Sequence, residues 1–128
     1  MVRISGAEVT RFPPPAEQQD FRVLEVSMTA DAGGRPFRSD RIAVEVVFFD
    51  RSEPPGRVFP SRAVPPRGRL AVAQGTWNPG ETKAVVVPYA VPKSSDASGF
   101  RYHGFLIRLY ADGELIGEQS KPAGLAAS

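Results

Sequence analysis

Along most of this chain apolar and polar residues alternate with a period of two, the pattern of half-buried β-strands. It is clearest from Ile42 to Phe49, where Ile42, Val44, Val46 and Phe48 share one face and Glu45 lies on the other. Phe21–Ala30 repeats it, with Leu24, Val26 and Met28 opposed by Glu25, Ser27 and Thr29. Phe21, Leu24 and Met28 also fit a helical stripe, but the β-branched Val23, Val26 and Thr29 favour a strand. Val2–Thr10 reads as a first strand with a bulge at Gly6, and Thr82–Tyr89 as another, with Val85, Val87 and Tyr89 inward. Pro88 cannot donate to a ladder, so that strand belongs at an edge. Leu70–Trp77 reads as a short edge strand, and Phe105–Ala111 and Glu114–Gln119 as the closing pair.

Turn chemistry separates these runs. Asn78-Pro79-Gly80 sets the proline φ and then supplies the positive φ of a type II turn. Asp112-Gly113 is the strongest hairpin signal in the chain. With two turn residues, Tyr110 opposes Leu115 and Leu109 opposes Ile116; carrying that register on puts Glu118 on the inner face. A bulge at Gly117 repairs it. The run of three prolines at 13–15 forces an extended connection, and Asp50–Arg69 and Lys93–Gly99 read as loops.

Seven short strands, a Pro-Gly turn opening the fifth and a closing hairpin resemble the immunoglobulin-like and fibronectin-III-like sandwich superfamily, bacterial domains in particular. The resemblance is carried by Asn78-Pro79-Gly80-Glu81-Thr82 with Ala84–Val87, and by Phe105–Ala111 as the penultimate strand. Phe105 stands where that family often places a corner tyrosine, and the cysteine pair of antibody domains is absent. The resemblance implies an all-β fold, a single seven-stranded or similar immunoglobulin-like antiparallel β-sandwich, and a role as spacer, adhesion module or docking platform. Residues 1–119 form the sandwich in this reading, and 120–128, small and polar, are expected to fray.

Composition sharpens the picture. With 128 residues there is one domain's worth of chain, and 13 prolines and 12 glycines exclude a long helical bundle. No apolar run is long enough to span a membrane. The absence of cysteine excludes disulfides, thiolate metal sites and thiol nucleophiles. The first residues hold no apolar signal core, so the expected compartment is cytoplasmic if Met1 is native and extracytoplasmic is open if the chain is trimmed. Net charge is only +2. Between Pro54 and Gly80 there is no acidic residue, while Arg57, Arg62, Arg67 and Arg69 fall inside.

Candidate chemistry is sparse. His103, the single histidine, has no serine or aspartate at a catalytic-motif spacing and reads as a solvent-edge residue. The close carboxylates Asp50 with Glu53 and Asp112 with Glu114 flank loops and lack calcium-loop spacing. Gly33-Gly34 lacks a following helix to cradle a phosphate. Arg62–Arg67 lacks the proline spacing of a polyproline ligand. No enzyme activity, cofactor or metal is therefore expected, and the chain reads as a structural or protein-interaction module. Two alternatives stay open: a carbohydrate or ligand module using Trp77 and loop residues, and weak nucleic-acid binding through the Arg57–Arg69 loop. Four arginines and one ring, Phe59, predict no specific nucleic-acid partner.

Alternation also sends Val47, Phe49, Leu106, Tyr110 and Leu115 to the outer face of one sheet, an apolar set that water should not face. Two covers are expected to compete. Val58, Phe59 and Val64 of the proline-rich loop could fold over it, or a second copy or neighbouring domain could dock there and make it the interaction patch.

Overall fold

The computed structural model describes residues 1–54, 56–72, 74–94 and 99–125. The chain is all-β and its sheets are antiparallel. β1 (Val2–Phe12), β2 (Gln18–Ala30) and β8 (Thr82–Pro92) form one sheet in the order β1-β2-β8. The second sheet runs β10-β9-β4-β5, from β10 (Glu114–Lys121), β9 (Phe100–Ala111), β4 (Ile42–Ser52) and β5 (Val58–Pro60). β6 (Leu70–Ala71) also pairs with β4, and β3 (Phe37–Arg38) pairs with β7 (Thr76–Trp77) as a small ribbon.

The two large sheets enclose one core, giving a β-sandwich. Leu24, Val26 and Met28 of β2 meet Val44, Val46 and Phe48 of β4 and Phe105, Ile107 and Leu109 of β9, and all are buried. The inward set expected from alternation is reproduced; Val85 is the one member only partly buried. Pro88 sits on β8, an edge of its sheet, as its missing N–H requires.

The turns follow their residues. Gly80 has φ +76°, and the Glu81 N–H donates to the Asn78 carbonyl at 3.0 Å, closing the Pro-Gly turn. Asp112 and Gly113 have φ of 51° and 83°, the pair of positive values a type I′ hairpin needs. Tyr110 opposes Leu115, and the register then shifts so that Gly117 faces Leu109 and Glu118 faces Arg108. The bulge extrudes Ile116 and returns Glu118 to an ion pair with Arg108. A Cβ at position 113 would meet nothing within 4 Å, so substitution there strains only the backbone. Gly113→Val is expected to cost about 1–2 kcal/mol in urea unfolding, and Gly113→Asn, which tolerates the left-handed region, clearly less.

Several strands depart from the sequence expectation: β2 and β9 start earlier, at Gln18 and Phe100, β8 runs on to Pro92, and β3 falls where no strand is expected. β4 does not stop at Phe49 but runs to Ser52, because β5 of the supposed loop pairs with it, Asp50 opposite Phe59. The expected strand Leu70–Trp77 is two short pieces serving different partners, β4 and β3. The last strand runs through Ser120 and Lys121, two residues past the expected boundary at 119; residues 126–128 lie outside the described set. Beyond Lys121 the chain crosses β9 at Gly104. A Cβ on Gly104 would lie 2.0 Å from the Lys121 carbonyl oxygen, so only glycine lets the strands and the tail meet there. The crossing carries Leu125 onto Val47, Phe49 and Leu106.

Candidate functional site

Val47, Phe49 and Leu106 are therefore buried, forming a second, smaller cluster with Leu125 against it. Tyr110 is buried too, with the Arg69 guanidinium 3.8 Å from its ring centroid. Leu115 alone of the five is exposed, at 52%. The cover comes from within the chain, but not from the residues expected to supply it. Val64 packs in the main core, Phe59 turns to Phe100 and Val58 stays exposed. The outer-face set thus offers no continuous bare patch in this chain.

Trp77 has no exposed surface. It stacks on Phe37 at 5.6 Å, and its indole N–H donates to the Glu81 carbonyl at 2.8 Å, pinning the Asn78–Gly80 turn. The sequence favours Trp77 as an anchor of this turn onto the core, and that is its place; a ring buried on both faces cannot stack on a sugar, which removes the alternative of a Trp77 platform. The arginines of the 57–69 segment do not converge either. Arg62 lies over the Phe59 ring at 5.6 Å, whereas Arg69 sits beside Tyr110 and the Asp112-Gly113 hairpin.

His103, read from sequence as a solvent-edge residue, lies within β9. It is the extra residue of a bulge in β9, since Phe49 faces Gly104 while Asp50 faces Tyr102. It is half-buried beside Ala7, Val9, Phe105 and Lys121, lining an open depression of about 700 Å³ between β1 and the end of β10. The paired carboxylates separate. Glu53 reaches Arg51 and Arg101, and Asp112 takes a two-point contact from Arg41 at 3.0 and 2.6 Å. The Arg51 hydrogen bond, with Arg101 beside it, holds the Glu53 carboxyl below the usual carboxylate range. Among the described residues no group of three or more potential ligands could hold a metal ion.

Asp50, read from sequence as a loop carboxylate, is 3% exposed. It occupies the inward position that follows Ile42, Val44, Val46 and Phe48. The Tyr89 hydroxyl donates to its Oδ1 at 2.6 Å and the Ser61 hydroxyl to its Oδ2 at 2.6 Å. Ser61 Oγ in turn accepts the Val64 N–H at 3.1 Å, which ties the proline-rich segment to the core. The bridge joins the two sheets near one end of the sandwich. Serine and carboxylate here touch directly, with tyrosine in place of an imidazole and the hydroxyl sealed from solvent, so the trio holds structure rather than activating a nucleophile.

Beside this bridge Phe48 and Tyr102 each meet the Tyr89 ring edge to face, Tyr102 at 5.1 Å. Burial, with the Asp50 hydrogen bond, pushes the Tyr89 phenol far up. Burial pushes Tyr102 up to about 12. A phenol raised on folding keeps its proton where the unfolded chain has lost it. The stability involved is intact below the unfolded value of 10.0 and drains away as pH climbs through about 12. The denaturation midpoint is accordingly expected to fall between pH 10 and 12, less steeply for Tyr102→Phe, with tyrosinate absorbance marking the transition.

Beyond the bridge the sheets part into a cleft of about 260 Å³ bordered by Asp20, Arg22, Arg51, Phe100, Arg101 and Tyr102. A second depression shares Phe100 with it and adds Arg57, Phe59 and Arg62. Sequence reasoning reached only Arg57, Phe59 and Arg62 of this end and missed the rest. Its residues come from β2, β4, β5 and β9, and only the strand register brings them together.

No family model matches the chain, and no curated protein does. Among solved structures, the chain is similar to Pseudomonas fluorescens alkylpurine DNA glycosylase AlkC bound to DNA containing an abasic site analog. The TM-score is 0.47 at 12% identity, over 93% of this chain and 29% of that one. The chain thus spans less than a third of the length of that protein.

Proposed function

We propose that this chain is a non-enzymatic protein-interaction module of immunoglobulin-like type, and that it meets its partner through the end of the sandwich where β4, β5 and β9 converge. The observation that carries this reading is a partly exposed aromatic pair in a depression rich in arginine. Phe59 and Phe100 meet edge to face at 5.3 Å, with Phe100 and Val58 each 38% exposed and Arg57 and Arg62 alongside. Aromatic residues and arginine are the types enriched in the cores of protein interfaces, and exposed apolar groups beside cations favour a partner over water. The immunoglobulin-like assignment is supported by the three-stranded sheet facing β10-β9-β4-β5 across one core and by the hairpin that closes the chain. The non-enzymatic reading is supported by the sealed Ser61–Asp50–Tyr89 bridge and by His103 standing in a bulge apart from it.

The test is selection of binders from a displayed peptide library. Binders are expected to lose about tenfold in affinity on Phe100→Ala, the scale of an interface anchor, and to be indifferent to Leu115→Lys. Binders insensitive to Phe100→Ala, or sensitive to Leu115→Lys instead, would overturn the assignment.

A further inference from the structure

We infer that the partner segment seated on this end is acidic, its carboxylates held by arginines drawn from both sheets. The inference rests on the interaction surface proposed above and names the chemistry it selects. Six arginines border the two joined depressions: Arg11, Arg22, Arg51, Arg57, Arg62 and Arg101. Three carboxylates oppose them. Asp50 has both oxygens engaged by the Tyr89 and Ser61 hydroxyls, Asp20 is shared by Arg11 and Arg22, and Glu53 by Arg51 and Arg101. A surplus of positive charge remains, with several N–H donors on each guanidinium.

The geometry favours carboxylates over nucleic-acid bases. Reading single strands requires aromatic faces on which bases can stack. Here the Tyr102 and Phe59 rings are already capped by the chain's own cations. Arg22 lies 4.5 Å from the Tyr102 centroid and Arg62 lies 5.6 Å from that of Phe59. A guanidinium held over a ring still has N–H groups to offer for two-point contact with a planar carboxylate. Arg51 and Arg101 face each other across the β4–β9 ladder and already grip such a group, the Glu53 side chain. The Arg51–Glu53–Arg101 clamp thus shows, inside the chain, the contact that the partner would make. The 260 Å³ cleft is smaller than the roughly 300–1,000 Å³ typical of sites for drug-sized molecules, and suits a single acidic side chain entering from a longer segment.

The probes are an end-blocked hexaglutamate peptide and a hexathymidylate oligonucleotide, each titrated into the isotope-labelled chain at about 50 and 150 mM salt. Hexaglutamate is expected to shift the amides of Arg22, Arg51, Phe100 and Arg101 and to weaken as salt rises. The double variant Arg62→Gln with Arg101→Gln should lose at least about tenfold in affinity. Arg69→Gln, at the far hairpin, should leave binding unchanged. Absence of shifts at low salt, an equal loss with Arg69→Gln, or tighter binding of hexathymidylate at the same amides would each overturn the inference. Library peptides that footprint here through Phe100 but carry no acidic residues would also end it, while leaving the interaction surface standing.

Discussion

Asp50→Ala is expected to cost roughly 3–5 kcal/mol of stability. Hydrogen bonds to a charged group contribute about 1.5–3 kcal/mol each, and this carboxylate accepts two of 2.6 Å in a site that water scarcely reaches. Its removal strands the Tyr89 and Ser61 hydroxyls as buried donors, and frees the segment that Ser61 anchors through the Val64 N–H. Tyr89→Phe, which removes one donor and leaves the carboxylate its second partner, should cost less, about 1–2 kcal/mol. A double-mutant cycle between the two positions should return a coupling of about 0.5–3 kcal/mol. A loss below about 1 kcal/mol for Asp50→Ala in urea unfolding would mean that the bridge contributes little.

Phe48→Ala should be of similar size, about 3–5 kcal/mol, the usual range for deleting a large aromatic from a core. The ring is 3% exposed and meets Tyr89 edge to face at 5.2 Å. Its loss opens a void bordered by rings that strands on both sheets hold in place, so collapse around it is limited. Because Phe48 and Asp50 both bear on Tyr89, their effects should fall short of additive. A cost under about 1 kcal/mol would place the Phe48 ring outside the load of the core.

The strands and their inward faces were legible because alternation is local. Ile42, Val44, Val46 and Phe48 need no distant partner to show which way they point, and Asp112-Gly113 states its own turn. Even the Gly117 bulge could be read, since an unbulged register put Glu118 where a core residue belongs. Asp50 is the instructive miss. The same alternation that placed Phe48 inward places Asp50 inward two residues later, yet a charged residue followed by prolines reads as loop. What makes the position tolerable are hydroxyls at 61 and 89, which nothing in the neighbouring sequence announces. The arginine-and-aromatic end was hidden for a related reason. Sequence shows a basic segment from Arg57 to Arg69, but the fold sends Arg69 to the opposite hairpin and recruits Arg22, Arg51 and Arg101 from other strands. Likewise the cover over Phe49 and Leu106 came from Leu125, a residue whose small, polar neighbours suggested fraying.

The crossing at Gly104 gives this cover a particular vulnerability. The tail lies on the outer face through Leu125, whose N–H donates to the Ser120 hydroxyl at 3.2 Å, while the main core lies wholly on the other side of the sheet. Peeling the tail away therefore disturbs none of the packing between the sheets and should occur as a local opening, well below the free energy of global unfolding. Each opening uncovers Val47, Phe49 and Leu106, large apolar side chains on adjacent strands of a folded sheet. Clumping of this protein on storage or mild heating should accordingly begin from molecules that are still native inside, and be governed by how often the tail lifts rather than by the melting of the sandwich.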